Sequence, residues 1–340
     1  MKKKILRIVH SLDAVYGGPQ NAINDHSIFL NNNGFNVEIL TNGKKNKKNS
    51  LSNNFKVHYM GNHLLGNYGF NYRLFLWLYK NKKNYDYFII HGLWSFYTLA
   101  ARILIPNKYF VFSHGQLDPF FSTEFFKKLK KKIYWFFIEK RNLLNSKSLL
   151  LTTKSEKNII ENTYVNTKGI SKTVIKYGLC NNKVNKNEIK KRFLKKNPTF
   201  KNKKYFLFLG RFHKKKGCEI LLKSFKNLNK KGSDYILLMA GSKSVEQKKL
   251  IYLSNKLGIS NKVFWLNFLD GETKLGAILN SKAMVLCSYG ENFGVSLVES
   301  LRLSKPVITT DKVNIYKSII KYGAGFISKN NILSFSKNLI

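Results

Sequence analysis

Short apolar runs alternate with longer amphipathic stretches along the first half of the chain, and this alternation predicts strands and helices in turn. The predicted strands are Ile5–Val9, Val37–Leu40, Val57–Met60, Tyr87–Ile90, Tyr109–Ser113, Leu149–Thr152 and Thr173–Ile175. The stretches that predict helices include Asn21–Asn31, Leu74–Lys82, Glu124–Leu144 and Ser155–Asn162. Strands separated by helices are typical of a parallel sheet with crossover helices.

The same alternation restarts in the second half of the chain. Its predicted strands are Tyr205–Leu209, Tyr235–Ala240, Val263–Leu266, Ala283–Cys287 and Val307–Thr309. The Lys- and Asn-rich interval 179–204 predicts a polar helix and linker. A chain of 340 residues suits two domains. We therefore predict an α/β fold of two tandem Rossmann-like domains, residues 1–178 and 205–340, facing across a cleft at the carboxyl ends of both sheets.

Composition narrows the class of protein. Hydrophobic residues make up 44% of the chain, which excludes disorder for most of it. The net charge of +42 favours polyanionic partners such as nucleic acid, an anionic membrane or phosphorylated substrates. A biased genome composition explains the same excess of Lys, since Asn, Ile, Phe and Tyr are abundant with it. Both explanations stay open at this point.

Two further features concern the location of the protein. The three cysteines, Cys180, Cys218 and Cys287, are too few and too widely spaced for a disulfide framework or a metal site, and they suit a reducing cytoplasm. The apolar segment 88–106 is interrupted at His91-Gly92 and contains Arg102, so it predicts a strand, a loop and a helix. We therefore predict no transmembrane segment.

The stretch "LGRFHKKKG", residues 209–217, follows a predicted strand and precedes a helix. Gly210 permits a tight turn, Arg211 offers a planar fork of donors, and Lys216 adds a point charge. These residues suit a diphosphate. A solvated basic loop fits the same letters equally well.

The stretch "SYGENFGVSLVES" carries two glutamates, Glu291 and Glu299, around a helix predicted to begin near Gly294. The helix start offers free N–H groups and a partial positive charge, which favour a phosphate. Carboxylates on either side accept hydrogen bonds from vicinal hydroxyls. A sugar, a diphosphate and a ribose would fit this order, although a surface acid and a helix-stabilising acid remain the alternative.

Two loops of the first half add candidates. Gly17-Gly18 follows the first strand and precedes a Pro at the predicted helix start, which suits close approach of a ligand, although a plain loop fits these residues equally well. The pattern is not G-x-G-x-x-G, so a dinucleotide cofactor is not indicated. His114 follows the strand Tyr109–Ser113 and would face the cleft, and His91 holds a similar place.

These stretches, in this order, resemble the retaining glycosyltransferases of GT-B architecture in family 4. "GENFGVSLVES" is similar to the family's E-x7-E motif, and "GRFHKKKG" is similar to its Gly-Arg…Lys-Gly motif. The resemblance implies transfer of a hexose from a UDP- or GDP-sugar, with retention and without a metal or other cofactor. The domain of residues 1–178 would bind the acceptor, and that of residues 205–340 the nucleotide sugar.

The resemblance also implies roles for single residues. The implied diphosphate-binding residues are Arg211, Lys216, Gly17, Gly18, Gly294, Val295 and Ser296. The implied sugar-binding residues are Glu291, Asn292, Phe293 and His114, of which Glu291 and His114 would act in catalysis. The implied nucleoside-binding residues are Glu299, Leu269 and Gly210.

The chain departs from the family pattern at two places. "KYGLCNN" stands where the family has an Asn-Gly-(Ile/Leu)-Asp turn, and "LRLSKPV" follows the second acid where small residues are usual. Family members also continue with further helices beyond the position of Ile340. A shortened C-terminal end would weaken domain closure and activity.

The acceptor and location follow from the same resemblance. The expected acceptor is a saccharide or lipid-linked saccharide in the synthesis of lipopolysaccharide, capsule or exopolysaccharide. Residues 122–144 predict a basic amphipathic helix with aromatic residues, which suits an anionic membrane surface or, equally, packing on the core with a solvated basic face. Because the acceptor in this family is often lipid-linked, we expect a cytoplasmic protein that is attracted peripherally to the inner face of the membrane. Three alternatives remain: a nucleotide-sugar epimerase of the same fold, an inactive truncated homologue, or a basic nucleic-acid-binding protein, which the absence of a recognition motif disfavours.

Overall fold

The computed structural model describes residues 2–12, 18–44, 54–118, 125–164, 167–175, 178 and 185–339. The chain divides into two compact units, Met1–Cys180 and Asn181–Ile340. Each unit is built on its own parallel sheet with helices. The prediction of two α/β domains in tandem is therefore confirmed.

The first unit contains a seven-stranded sheet in the order β3-β2-β1-β4-β5-β6-β7. Its strands are β1 (Lys3–Val9), β2 (Phe35–Thr41), β3 (Lys56–Tyr59), β4 (Tyr87–His91), β5 (Tyr109–Phe112), β6 (Ser148–Leu151) and β7 (Lys172–Val174). All neighbouring strands are parallel. Every strand predicted for this half is present, with ends that differ by one or two residues.

The helices of the first unit are α1 (Gly18–Asn32), α2 (Tyr72–Asn81), α3 (Phe96–Leu104), α4 (Phe125–Tyr134), α5 (Lys140–Leu144) and α6 (Lys154–Thr163). The single helix predicted over 124–144 is interrupted by a π-helical segment, Trp135–Glu139, in which the first and last residues are buried. The segment 88–106 holds the end of β4 and all of α3, as predicted. Among the helices that the structure describes, none has both the length and the apolar character that a membrane span requires.

The second unit contains a six-stranded sheet in the order β10-β9-β8-β11-β12-β13. Its strands are β8 (Tyr205–Leu209), β9 (Ile236–Ala240), β10 (Val263–Leu266), β11 (Ala283–Leu286), β12 (Val307–Thr310) and β13 (Gly325–Ser328). The first five were predicted. The strand β13 was not, because "GFIS" is a short run with only one fully buried residue.

The helices of the second unit are α7 (Lys186–Lys196), α8 (Cys218–Lys230), α9 (Val245–Lys256), α10 (Gly271–Asn280), α11 (Val295–Arg302), α12 (Tyr316–Lys321) and α13 (Ile332–Leu339). The helix α7 lies in the interval 179–204. Its Ile189 and Phe193 are buried in the core of this unit. A methyl group on Gly276 of α10 would approach Cβ of Phe193 to 2.5 Å, so α7 and α10 pack at close range.

Both sheets reverse their strand order at one point, between β1 and β4 in the first unit and between β8 and β11 in the second. The loops that leave the carboxyl ends of two such strands run to opposite faces of the sheet, and the crevice between them is where ligands of doubly wound sheets bind. In the second unit these two loops carry the motifs predicted to bind the nucleotide sugar. All residues of β8 and β11 are buried, so the strands hold the loops on a rigid base.

Candidate functional site

The loops after β8 and β11 of the second unit lie against each other. The Tyr289 N–H donates a hydrogen bond of 2.8 Å to the Lys215 carbonyl oxygen. Gly217 has a φ of +63°, and a Cβ atom there would lie 2.0 Å from the Cys287 carbonyl oxygen. Only glycine fits this contact. The two motifs, far apart in sequence, thus form one continuous surface at the reversal of strand order.

The side chains of Lys216 and Glu291 form an ion pair on this surface, between Nζ and Oε2. Each side chain is 19% exposed, so the pair is largely shielded from solvent. The backbone of Glu291 is fixed on both sides: its N–H donates to the Lys312 carbonyl at 3.0 Å, and its carbonyl accepts from the Asn314 N–H at 2.9 Å. The structure therefore brings together the lysine predicted for the diphosphate and the acid predicted for the sugar.

The helix α11 begins beside this ion pair. Gly294 precedes it with a φ of +67°, and a Cβ atom there would lie 3.5 Å from Cγ of Glu291. The N–H groups of Val295 and Ser296 are in the first turn, where a helix offers them no internal partner. Asn292 is held nearby, because its Oδ1 accepts a hydrogen bond of 3.4 Å from Asn314. An anion at this helix start would meet N–H donors and Lys216 together.

The second acid, Glu299, lies further along α11 and is buried. Its Oε1 is 2.6 Å from Nζ of Lys274, which belongs to α10, and the side chains are 11% and 15% exposed. The sequence did not indicate this partner, because the two residues are 25 positions apart and on different helices. Both acids of the motif are therefore paired with a lysine.

The other predicted residues of this unit are Gly210 and Arg211 at the end of β8, Phe293 before α11, and Leu269 after β10, and they differ in exposure. The Gly210 N–H donates to the Ala240 carbonyl at 3.1 Å, which continues the pairing of β8 with β9. Arg211 is exposed, Phe293 is partly buried, and Leu269 is partly buried against the core. Among the described residues, the hydrogen bond and ion pair that join the loops after β8 and β11 involve neither Arg211 nor Leu269.

Residues that the sequence did not single out hold the loop after β11 from beneath. The Asn330 side chain donates to the carbonyls of Cys287 at 2.7 Å and Ser288 at 3.0 Å. The Thr310 hydroxyl donates to the same Ser288 carbonyl at 2.7 Å. These contacts fix the backbone at the start of the loop that carries Glu291. Sequence periodicity carries no signal for them.

In the first unit, His114 follows β5 with a φ of +47°, a backbone conformation that non-glycine residues rarely adopt. Its Nε2 is 2.8 Å from Nδ1 of His91, and Nε2 of His91 is 3.1 Å from Nη1 of Arg7. Burial, with a contribution from Arg7, lowers the pKa of His114 to about 3. The imidazole is therefore neutral at physiological pH. Gly17 lies outside the described residues, and Gly18 begins α1.

Comparisons with known proteins cover the chain unevenly. Residues 189–340 match the family described as "Glycosyl transferases group 1". Among curated proteins, the serotype-specific mannosyltransferase WbdA of Escherichia coli is 29% identical over 124 residues. That alignment covers 36% of this chain and 15% of WbdA, so the chain matches only a small part of that relative.

Two solved structures resemble nearly the whole chain. The glycosyltransferase WaaG, involved in lipopolysaccharide biosynthesis, has a TM-score of 0.75 at 15% identity, covering 98% of this chain and 89% of WaaG. Anabaena HepE, in complex with UDP and glucose, has a TM-score of 0.77 at 16% identity, covering 98% and 88%. The chain therefore has the two-sheet GT-B fold of glycosyltransferases, and its residues 189–340 match the family of glycosyl transferases group 1.

Proposed function

We propose that the protein is a retaining glycosyltransferase of family 4, which transfers a hexose from a nucleoside-diphosphate sugar to a saccharide or lipid-linked saccharide acceptor. One observation carries the proposal: the ion pair of Lys216 with Glu291 stands at the start of α11, with Glu299 further along the same helix. The first acid, the helix start with its nearby cation, and the second acid follow one another in the order in which a nucleotide sugar presents its sugar, its diphosphate and its ribose.

The diphosphate would bind to Lys216, Arg211 and the N–H groups of Val295 and Ser296. These groups stabilise the negative charge that develops on the leaving phosphate, and we propose that they do so without a metal ion. The reaction needs this stabilisation of charge, because negative charge grows on the leaving phosphate as its bond to the sugar breaks. Transfer with retention would follow a front-face route, in which the leaving phosphate helps to deprotonate the acceptor.

The two acids would bind hydroxyl groups. Glu291 would accept hydrogen bonds from the transferred sugar, and Glu299 would accept them from the ribose. Both form ion pairs before the ligand arrives, so their carboxylates are held in place. Ionised carboxylates accept stronger hydrogen bonds than neutral oxygens do.

The donor and acceptor classes rest on the relatives. WbdA is named a mannosyltransferase, WaaG acts in lipopolysaccharide biosynthesis, and HepE binds UDP and glucose. We therefore propose a UDP- or GDP-sugar as donor and an acceptor in the synthesis of a surface polysaccharide. A nucleotide-sugar epimerase of the same fold would use the same donor site but would need no acceptor.

Thermal unfolding with UDP-, GDP-, dTDP- and ADP-sugars at moderate salt tests the proposal. A ligand that binds the native state raises the melting temperature by mass action. We expect one nucleotide class to stabilise the protein and Glu299→Gln to remove the effect. Glu272→Gln is the matched control, because Glu272 pairs with Arg192 at the exposed surface of the same unit. If no nucleotide stabilises the protein while RNA binds it tightly, the transferase proposal is wrong.

We also propose that the first unit attaches to an anionic membrane surface on the cytoplasmic side. Along α4 and the π-helical segment, Leu129, Ile133, Phe136 and Phe137 are 47%, 54%, 64% and 57% exposed, among many lysines. Exposed aromatic side chains beside cations suit the boundary between headgroups and acyl chains. Sedimentation with phosphatidylglycerol vesicles should recover the wild type and less of Phe136→Ser/Phe137→Ser. Equal recovery with neutral phosphatidylcholine vesicles would contradict the charge dependence.

A further inference from the structure

The carboxyl group of Glu139 lies inside the first unit, at the end of the π-helical segment, and the residue is completely buried. Its Oε2 lies 3.2 Å from the hydroxyl oxygen of Thr98 in α3 and 3.1 Å from Nδ2 of Asn142 in α5. Both of these partners are completely buried as well. Glu139 therefore connects the π-helical segment to α3 at a point that is closed to solvent.

The other acids that the structure shows as buried are stabilised as carboxylates. Glu38 and Glu299 form ion pairs with lysines. Glu156 accepts three hydrogen bonds, which reach both of its oxygens. Glu139 differs: among the described residues, no ion pair involves it and its Oε1 has no hydrogen-bond partner. Because a buried charge without a partner costs far more than a buried neutral group, these surroundings favour the carboxylic acid.

A proton on Oε2 of Glu139 also completes the hydrogen bonds around it. The Thr98 hydroxyl has one proton to donate and lies closer to the Ser95 carbonyl oxygen, at 2.9 Å, than to Glu139. When it donates to Ser95, a proton on Glu139 is needed for the contact between the two side-chain oxygens. Either orientation of the Asn142 amide agrees with this assignment. Its nitrogen can donate to Oε2 beside the proton, and its oxygen, if it faced Oε2, would itself accept the proton.

Few charged or titratable groups act on this carboxyl. Burial raises the pKa of Glu139 to about 7, and its hydrogen bonds and the charge of Arg102 in α3 oppose this only in part. Tyr109 of β5 and Tyr134 of α4 also face the carboxyl, and burial raises the pKa of both, so they stay neutral. Arg102 stays charged, because a guanidinium does not lose its proton in proteins. Among these groups, Glu139 is therefore the one whose charge changes near neutral pH.

From this geometry we propose that Glu139 is a neutral carboxylic acid in the folded protein below neutral pH, and that its ionisation above neutral pH releases the π-helical segment from α3. A carboxylate between Thr98 and Asn142 needs water, and water reaches it only when the two elements separate. Glu139 then forms a pH-sensitive connection within the first unit. This inference concerns the first unit alone and does not depend on the proposed function.

The two elements that Glu139 connects are each continuous with a surface of interest. The helix α3 follows the loop from β4, in which Trp94 has a left-handed φ of +60°. This loop leaves the sheet at the reversal of strand order, where ligands of such folds bind. The π-helical segment carries the exposed Phe136 and Phe137, which we proposed to enter the membrane. Loss of the proton from Glu139 should therefore loosen both surfaces.

The direct test is infrared spectroscopy of the whole protein in heavy water. A protonated carboxyl group has a C=O stretching band at higher frequency than amide groups and ionised carboxylates. Ordinary Asp and Glu side chains are ionised at about pH 6, so we expect a single such band, which Glu139→Gln removes. In the wild type this band should disappear as the pH rises through about 7. Glu156→Gln is the matched control and should keep the band, because Glu156 is also buried but accepts hydrogen bonds at both oxygens.

Unfolding by denaturant gives a second readout. The folded protein binds the proton of Glu139 more tightly than the unfolded chain does, so the stability that this group contributes is lost as the pH rises from about 4.5 to about 7. Glu139→Gln resembles the neutral acid and has no proton to lose. Relative to the wild type, its folding equilibrium constant should rise by roughly tenfold to a hundredfold between about pH 5 and about pH 8. The buried histidines act in the opposite direction over this range, but they are present in both proteins and cancel in the comparison.

Hydrogen exchange detects the release itself. At about pH 8, the amides of residues 94–104 and 135–144 should exchange faster in the wild type than in Glu139→Gln, and those of the second unit at equal rates. Equal exchange throughout would refute the release.

The protonation has its own refutation. The absence of a protonated band at about pH 6, or a band that persists unchanged to about pH 9, overturns the proposal, and this measurement needs no variant that might fail to fold. A ratio of folding constants that stays the same from about pH 5 to about pH 8 also overturns it.

Discussion

The ion pair between Lys216 and Glu291 leads us to predict that neutralising Glu291 increases the affinity of the protein for a free nucleoside diphosphate. In the proposed donor site, Lys216 must bind the diphosphate while its ammonium group is also in contact with the Glu291 carboxylate. Every bound phosphate therefore meets the negative charge of Glu291 as well as the positive charge of Lys216. Glu291→Gln keeps the shape of the side chain and its ability to bind a hydroxyl but removes that charge.

The magnitude follows from Coulomb's law. Two anions that contact the same ammonium group from opposite sides are about 5.5 Å apart, and at an effective dielectric constant of about 20 two such unit charges repel by about 3 kcal/mol. Each side chain of the pair is 19% exposed, so water screens part of this repulsion. A net effect of about 1–2 kcal/mol corresponds to roughly tenfold tighter binding of the free nucleoside diphosphate.

The assay is titration calorimetry with UDP or GDP, whichever stabilises the protein, and with its sugar conjugate. We expect Glu291→Gln to bind the free nucleotide about tenfold more tightly. The sugar conjugate should gain less, because its sugar loses the hydrogen bonds of an ionised acceptor. Lys216→Met should weaken both ligands, and Glu272→Gln controls for the change in net charge.

Weaker binding of the free nucleotide to Glu291→Gln would refute this reasoning. It would mean that Glu291 holds Lys216 in the position that binds phosphate, and that this positioning contributes more to affinity than the repulsion between Glu291 and the phosphate takes away. An equal gain for Glu272→Gln would also refute it, because the effect would then arise from net charge and not from the site.

Three further predictions concern stability, measured by denaturant unfolding. Gly217→Ala should cost at least about 3 kcal/mol, because its Cβ would meet a carbonyl oxygen at 2.0 Å, whereas Gly232→Ala, with open space around it, should cost about 1 kcal/mol. Lys274→Met should cost about 3–5 kcal/mol, since it leaves a buried carboxylate unpaired. The pKa of His114 is lowered from 6.5 to about 3, so the unfolded state takes up the proton first. Stability should therefore fall below about pH 6.5, with a loss of about 2 kcal/mol by pH 5.

A free energy of unfolding that stays constant from neutral pH to about pH 5 would contradict the last of these predictions. For the lysine, the double variant Lys274→Met/Glu299→Leu should recover much of the loss, because a well-packed apolar pair replaces a buried ion pair at little net cost. Failure to recover would show that the loss came from packing instead.

Local pattern was enough to predict most of the fold. Strands that are buried on both faces have continuous apolar runs in their sequence, and the helices between them have amphipathic patterns. The twelve predicted strands all exist, and the helix predicted near Gly294 begins at Val295. Two segments are exceptions, because their sequence patterns are ambiguous. The strand β13 is short and half-buried. The helix over 124–144 contains a π-helical segment that the spacing of its apolar residues does not predict.

The sequence by itself determined which residues stand on the loops at the carboxyl ends of strands, because a strand end and a helix start are local features. Only the tertiary structure decided which of them meet. Lys216 and Glu291 are 75 positions apart, and Arg7 and His91 are 84 apart. Each pair forms because two strands become neighbours in a sheet, and this order depends on the packing of the whole unit. For that reason the sequence did not predict that Lys274 pairs with Glu299 or that Asn330 holds the loop after β11.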